Sequence, residues 1–489
     1  SELAITGPDS FTFSYEGEIF FLGLSKLAQL DAANADNFTA NCFDDETYES
    51  RDCTAEEEAI QREEWEAGAA ERAEQAKKQA ELEKQRLADQ KKQQEDAAKK
   101  LASQQSADRE AAQAVRTRRV VEAREGMQVL VDGRQLTSFC GNDYLGLSQH
   151  LDVVSALQEA AAWHGVGSTG SAGVSGHHAE HARFEREMAQ WLGYERGLYF
   201  GSGYQANLAV LQSLLGEGDL CVQDKLNHAC LIDGARLSGC ELKRYPHGDV
   251  EAAMRQLMSR RDGAAILATD GVFSMDGDRA PLADLALVAR AQGATLYVDD
   301  AHGIGVLGPE GRGSLAVAGL TAKEVPLLLL PLGKAFGGQG AMLLGPSALV
   351  GHVAETARPY LYSTAPAPAM AAAMRASLKL IRSQPWRRAK LASLVARFRR
   401  GASALGLPLQ ESFTPIQPIV LGDNASALAA ARALEDRGYL VTAIRPPTVP
   451  EGQARLRVTL SVDHGEADVD GLLAALSEAV KPASDPVPA

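Results

Sequence analysis

From about residue 115 onward, short apolar runs alternate with longer stretches of helical periodicity, and this alternation limits the fold more than any other feature. The runs fall at 197–200, 264–268, 295–298 and 327–330. Such a run is too short for a stable helix, and unbroken apolarity suits a strand covered on both faces. Strands separated by helices imply a mostly parallel sheet with helices on either side. After about residue 380 come an arginine-rich helix, a strand at 415–421, a helix at 426–437, strands at 439–445 and 454–460, and a closing helix. The expectation is an α/β chain with a leading segment at 114–160, a large domain at 161–380 and a smaller α+β domain at 381–489.

The first hundred residues are a different material. Residues 1–53 form an acidic extension, in which Phe11-Thr12-Phe13-Ser14-Tyr15 alternates as a hairpin or edge strand does. Residues 54–113 are rich in Ala, Glu, Lys, Gln and Arg and contain no proline. Thr54 with Glu57 makes a capping box, and the Glu74–Lys78 and Glu81–Lys84 spacings support one long helix. Leu82, Leu87 and Leu101 are too sparse for a heptad seam, so a solvated single helix is expected, running into a basic helix around 112–121. Net charge is −15, and residues 1–60, with 14 acidic and 2 basic side chains, supply −12 of it. The remainder is near neutral, which removes nucleic acid as an expected partner. Six cysteines without a Cys-x-x-Cys pair suggest neither a disulfide framework nor a zinc site, and suit a reducing cytoplasm. No basic stretch precedes an apolar one at Ser1, and no apolar run approaches membrane-spanning length, so neither export nor a membrane is expected.

The chemistry-bearing residues follow the apolar runs. Leu332-Gly333-Lys334-Ala335-Phe336-Gly337-Gly338 comes just after the run at 327–330, and Thr295-Leu296-Tyr297-Val298 ends in Asp299-Asp300-Ala301-His302-Gly303. A lysine at one strand end, with a carboxylate and a histidine three apart at another, is the set that pyridoxal phosphate chemistry uses. The amine forms an imine with the aldehyde, the carboxylate keeps the ring nitrogen protonated, and the histidine orients the ring. Alone, Lys334 reads more simply as a surface lysine beside a glycine turn; its companions reverse that reading. Gly201-Ser202-Gly203-Tyr204 opens an apolar helix after the run at 197–200, and its free amides, with Ser202 as cap, form an anion site suited to a phosphate. His228 could stack on a flat ring, although a lone histidine is more often structural. Arg455 and Arg457 share one face of a strand, where one could clamp a carboxylate or both could be solvated.

Competing motifs fail on context. Gly165-Val166-Gly167-Ser168-Thr169-Gly170 fits G-x-G-x-x-G, but a helix at 152–164 precedes it where a dinucleotide site needs a strand. Its continuation to Gly176 reads as a backbone-rich loop near a substrate or as a structural loop. Gly333-Lys334 lacks both the first glycine and the Ser or Thr of a phosphate-binding P-loop. No serine sits in G-x-S-x-G.

The region 115–480 resembles the α-oxoamine synthases, pyridoxal phosphate enzymes of fold type I. The matching stretches are Gly141-Asn142-Asp143-Tyr144-Leu145-Gly146-Leu147, residues 165–176, Gly271-Val272-Phe273-Ser274-Met275-Asp276-Gly277-Asp278, residues 298–305, residues 332–337, and Ile444-Arg445-Pro446-Pro447-Thr448-Val449-Pro450. The last favours members that join L-alanine to a pimeloyl thioester, on coenzyme A or an acyl carrier protein, over those using glycine, serine or a longer acyl chain. The resemblance implies a cytoplasmic homodimer with shared active sites and the aspartate-aminotransferase-like fold. It implies that Lys334 binds the cofactor covalently and removes the α-proton, that Asp299 pairs with the ring nitrogen, and that His228 stacks on the ring. Ser274 and His302 would contact the ring hydroxyl. Ser202, Gly203 and Tyr204 would hold the phosphate, with Thr364 reaching it from the partner subunit. Asn142 and Arg457 would meet the amino-acid substrate, and Arg116 the acyl substrate. The sequence departs from the family pattern at Pro331, where a threonine hydroxyl usually binds the phosphate; proline offers neither hydroxyl nor N–H. The first hundred residues match nothing in the family, and read as a binding module or a fusion.

Overall fold

The computed structural model describes residues 3–7, 10–15, 18–23, 42–43, 50–111, 115 and 118–480. They fall into two units, 1–111 and 112–489. In the first, strands Leu3–Gly7, Ser10–Tyr15 and Glu18–Gly23 form an antiparallel sheet in chain order. The alternating stretch at 11–15 is therefore a central strand. Helix α1 (Ala55–Ala111) follows. It opens on the expected capping box, in which the Thr54 amide donates to Glu57 Oε2 (2.9 Å) and the Glu57 amide donates to Thr54 Oγ1 (3.3 Å). Leu82, Leu87 and Leu101 are exposed, so among the described residues these leucines form no buried seam within the unit. Cys53 is disulfide-bonded, which corrects the expectation of thiols throughout; Cys140, Cys221, Cys230 and Cys240 are free. A bridge needs closeness in space rather than Cys-x-x-Cys spacing. The cysteine argument for a reducing compartment accordingly fails for this unit.

The basic helix expected around 112–121 is also corrected. Residues 118–120 are not helical, and Val121–Glu125 is a strand that turns at Gly126 (φ 55°) to pair antiparallel with Gln128–Val131. Adjacent valines and a glycine able to take positive φ favour a hairpin over a helix here.

The second unit is built on a seven-stranded sheet. Its strands are β1 (Arg196–Phe200), β2 (Leu220–Asp224), β3 (Glu241–Tyr245), β4 (Ala265–Asp270), β5 (Thr295–Asp299), β6 (Leu327–Pro331) and β7 (Ala341–Gly345). The order is β3-β2-β4-β5-β6-β7-β1. The first five in that order run parallel, β7 is antiparallel to β6, and β1 is antiparallel to β7. β2, β4 and β7 are buried along their whole length between two helical layers, including the polar ends Gln223-Asp224 and Thr269-Asp270. A smaller sheet of β8 (Ile416–Gly422), β9 (Thr442–Ile444) and β10 (Ala454–Thr459) is ordered β8-β10-β9. The single strand expected at 439–445 is broken at Val441: Tyr439–Leu440 joins Arg134–Ser138 in another sheet, while β9 pairs with β10. Among the described residues, no helix is long and apolar enough to cross a membrane.

Candidate active site

Every parallel strand of the large sheet ends at one edge. β1, reversed twice through β7, ends there as well. Open α/β sheets place ligands at that edge because loops of differing length leave a crevice outside the strand ends. Here it gathers Ser202 and Gly203 after β1, Asp270 ending β4, Asp299 ending β5, and Pro331 ending β6 with Lys334 just beyond it. With Asn142, Tyr204, His228, Ser274 and His302 they line one cavity of about 300 Å3. Helix α2 (Gly203–Leu214) begins at its wall, and its cap Ser202 accepts from the Gln205 amide (3.2 Å) as the sequence predicts. The amides of Gly203 and Tyr204, at the first turn, have no intrahelical partner and suit a phosphate. Glycine is required at 203, since a Cβ there would lie 2.8 Å from Pro331 Cγ.

Asp299 is buried and accepts from Asn207 Nδ2 (2.6 Å) and the Ala301 amide (3.1 Å). Burial raises its pKa, opposed chiefly by the Lys334 charge and the Asn207 hydrogen bond. Asp270, its register neighbour on β4, accepts from the His228 amide (2.8 Å). Burial, then the Asp299 charge, push Asp270 well above the carboxylate range. Adjacent buried carboxylates do not readily ionise together, and Asp299, which interacts more strongly with the Lys334 charge and accepts two hydrogen bonds to the one at Asp270, is the one that holds charge. A protonated pyridine nitrogen against it would strengthen that charge. Lys334 has its pKa lowered by burial, against the pull of Asp299 and Asp270, which favours the neutral amine that attacks an aldehyde. His302 is buried, and its pKa falls well below the usual value for that reason first. The Tyr144 hydroxyl lies 2.7 Å from its Nδ1. Burial pushes Tyr144 up to about 12, so it keeps its proton. Nδ1 is a closer acceptor for the hydroxyl than Asn142 Oδ1 at 3.2 Å, and donation to Nδ1 leaves Nε2–H for a ring oxygen in the cavity.

The two strand arginines are both buried, contrary to the solvated alternative. Arg455 is neutralised by Asp276. Arg457, 7% exposed, donates from Nε to the Ser274 carbonyl (2.6 Å) and from Nη2 to Asn142 Oδ1 (3.2 Å), with no carboxylate partner among the described residues. A buried guanidinium held by neutral oxygens beside a cavity is a site for an anion from outside. Thr364 does not line this cavity within one chain; it forms an isolated bridge with Ser171 on the glycine-rich loop. Arg116 lies outside the described residues. The helix Leu151–His164 precedes that loop, which agrees with rejecting a dinucleotide site. Sequence reasoning assigned no role to Asn207, Asp270, Cys230 or the Tyr144 hydroxyl. Asn207, one helical turn past Gly203, was within reach of a positional argument.

The donor set, the helix start and the glycine cradle fit pyridoxal phosphate. Comparison with known proteins agrees. Residues 134–476 match the family model "Aminotransferase class I and II". The chain is 59% identical to 8-amino-7-oxononanoate synthase of Xanthomonas axonopodis pv. citri (strain 306) over 366 residues, 75% of this chain and 91% of the relative. It is 60% identical to the synthase of that name from Stenotrophomonas maltophilia (strain R551-3), over 74% of this chain and 89% of the relative. Among solved structures, it superposes on a high-resolution structure of SPT with PLP at TM-score 0.72 and 28% identity, covering 74% of this chain and 92% of that one. With 8-amino-7-oxononanoate synthase from Francisella tularensis the TM-score is 0.62 at 32% identity, covering 70% and 97%. A family match across the whole second unit but for its edges, on a sheet whose ends carry this lysine and carboxylate, leads to one conclusion: the chain belongs to the aminotransferase class I and II family, as a pyridoxal phosphate-dependent α-oxoamine synthase of fold type I.

Proposed function

We propose that this chain condenses L-alanine with a pimeloyl thioester, releasing carbon dioxide and a free thiol, to give 8-amino-7-oxononanoate for biotin biosynthesis. The observation that carries the reading is Arg457: an unpaired buried guanidinium whose two partners, Asn142 and Ser274, line the same cavity as Lys334 and Asp299. When bound, pyridoxal phosphate supplies an electron sink for charge developing on the amino acid's α-carbon. Lys334 anchors the cofactor and then, as a neutral amine, takes the α-proton. Asp299 holds a proton on the ring nitrogen opposite. The start of α2 binds the phosphate, His302 and Ser274 bear on the ring hydroxyl, and His228 covers the ring and keeps water from the reacting carbon. Arg457 clamps the alanine carboxylate, steadied by Asn142. Thr364 of the partner subunit completes the phosphate site in a homodimer. Arg116 meets the acyl substrate.

A second cavity of about 900 Å3 shares His228 and Ser274 with the first and is bounded by Met275, Val449, Lys225 and Arg244. Its apolar side chains suit an acyl chain, and with Arg455 paired to Asp276, Lys225 and Arg244 remain beside the single carboxylate of Glu451 to meet the anionic groups of a thioester carrier. The test is a panel of alanine, glycine and serine against pimeloyl, acetyl, succinyl and palmitoyl thioesters, read by thiol release. Alanine with the pimeloyl thioester should turn over fastest. Preference for glycine would instead favour a 2-amino-3-oxobutyrate ligase or 5-aminolevulinate synthase, and serine with palmitoyl a serine palmitoyltransferase. The unit 1–111 is proposed as a binding module, because α1 is polar all round.

A further inference from the structure

One residue on the cofactor cavity has no part in the mechanism above. Cys230, in the first turn of α3 (Ala229–Ser238), is buried and lines that cavity. Its Sγ lies 2.8 Å from His228 Nδ1 and 3.0 Å from Asn207 Nδ2. We propose that Cys230 is a positioning residue. Its thiol donates to Nδ1 of His228 and so fixes the imidazole as the neutral tautomer whose Nε2–H faces the cofactor cavity.

The polarity follows from the groups at either end. The Cys230 backbone amide also points at His228 Nδ1 (3.3 Å), and an amide N–H can only donate. Nδ1 therefore carries the lone pair, and the thiol beside it is the donor. On the other side, Sγ receives an N–H from Asn207. The orientation of that carboxamide is fixed because its Nδ2 also donates to Asp299 Oδ2 (2.6 Å) while its Oδ1 accepts from the Tyr297 hydroxyl (2.6 Å). One directed chain thus runs from Tyr297 through Asn207 to Asp299 on one branch, and through Cys230 to His228 on the other. The carboxylate that would pair with the ring nitrogen and the imidazole that would cover the ring are held by one amide. A thiolate–imidazolium pair would place a proton on Nδ1, against the Cys230 amide. Burial, then the Asp299 charge, raise the thiol's pKa, and burial first lowers that of His228, so both groups stay neutral. The charged groups facing His228 are Asp299, Lys334 and Asp233. A neutral ring adds no positive charge beside Lys334.

The inference rests on the cofactor reading above, but its first test, by NMR, does not need the acyl substrate. In holoenzyme with 15N-labelled histidine, the His228 resonances, assigned by comparison with His228→Asn, should show Nδ1 unprotonated and Nε2 protonated at pH 7.5. A protonated Nδ1 overturns the proposal, whatever the enzyme turns over. In Cys230→Ala the loss of the S–H donor makes Nδ1 easier to protonate. The acidic limb of kcat/KM and the pH at which the Nε2 signal shifts should then both rise, by about half a pH unit or more. Cys230→Ser, which retains a donor, should restore both. Equal profiles for wild type and Cys230→Ala, or no rescue by serine, would overturn it.

Discussion

Replacing Pro331 by threonine should tighten cofactor binding. The Pro331 ring lies against the first turn of α2, with its Cγ 2.8 Å from the point where a Cβ on Gly203 would sit. A threonine Oγ1 in that place faces the amides proposed to hold the phosphate. A hydrogen bond to a charged group is worth about 1.5–3 kcal/mol net. That corresponds to about 10- to 100-fold in dissociation constant. Lys334 is common to both proteins, so the difference isolates the phosphate end of the cofactor. The exchange also frees the unfolded chain, which should cost the apo protein about 0.4–1 kcal/mol. Apo Pro331→Thr should therefore melt slightly below wild type, and holo Pro331→Thr at or above it. Titration of both apo proteins with pyridoxal phosphate, followed by absorbance, reads the affinities. Equal affinities would refute the reasoning.

Three more outcomes can be checked. Arg457→Gln removes the unpaired guanidinium and should raise KM for alanine about 100-fold, the scale of losing a charge-assisted carboxylate clamp; an unchanged KM would remove Arg457 from substrate binding. A chain beginning at residue 112 should keep wild-type turnover, because the cavity lies between Asn142 and Gly340 and the apolar cores lie between Val129 and Val480; collapse of activity would mean that the leading unit belongs to the catalytic assembly. His464 accepts from the Ser461 amide, donates to the Ser138 carbonyl and stacks on Phe139 at 4.0 Å, and burial lowers its pKa to about 4. Its folded pKa lies below the unfolded value, so the stability of the neutral form is complete above about pH 6.5 and is lost as pH falls towards 4, by about 3 kcal/mol. Denaturant unfolding of wild type and His464→Gln across that range should converge at the acid end, and a constant gap would exclude this ionisation as the cause.

Much of the fold was legible because β1, β4, β5 and β6 carry apolar runs, whereas β2, ending in Gln223-Asp224, and β3, with Glu241, Lys243 and Arg244, gave no such signal. Lys334, Asp299, His302 and Ser202 were legible as candidates because they follow those runs. Asn207 and Cys230 were not, since their meaning comes from a contact with Asp299 across 92 positions and with His228 inside one helical turn. The fate of Arg455 depended on Asp276, 179 residues away, so the strand pattern alone could not separate it from Arg457. The break at Val441 lies in an apolar stretch with no turn residue, where only competition between two sheets divides the strand. At 112–121 composition suggested a helix continuing from α1, and the paired valines before Gly126 outweighed it.

Borohydride reduction of the reconstituted holoenzyme, followed by peptide mapping, bears most directly on the account. A pyridoxyl group on the peptide containing Lys334, and its loss in Lys334→Ala, is the expected result. Reduced protein with that peptide unmodified, or modified at a different lysine, would contradict it.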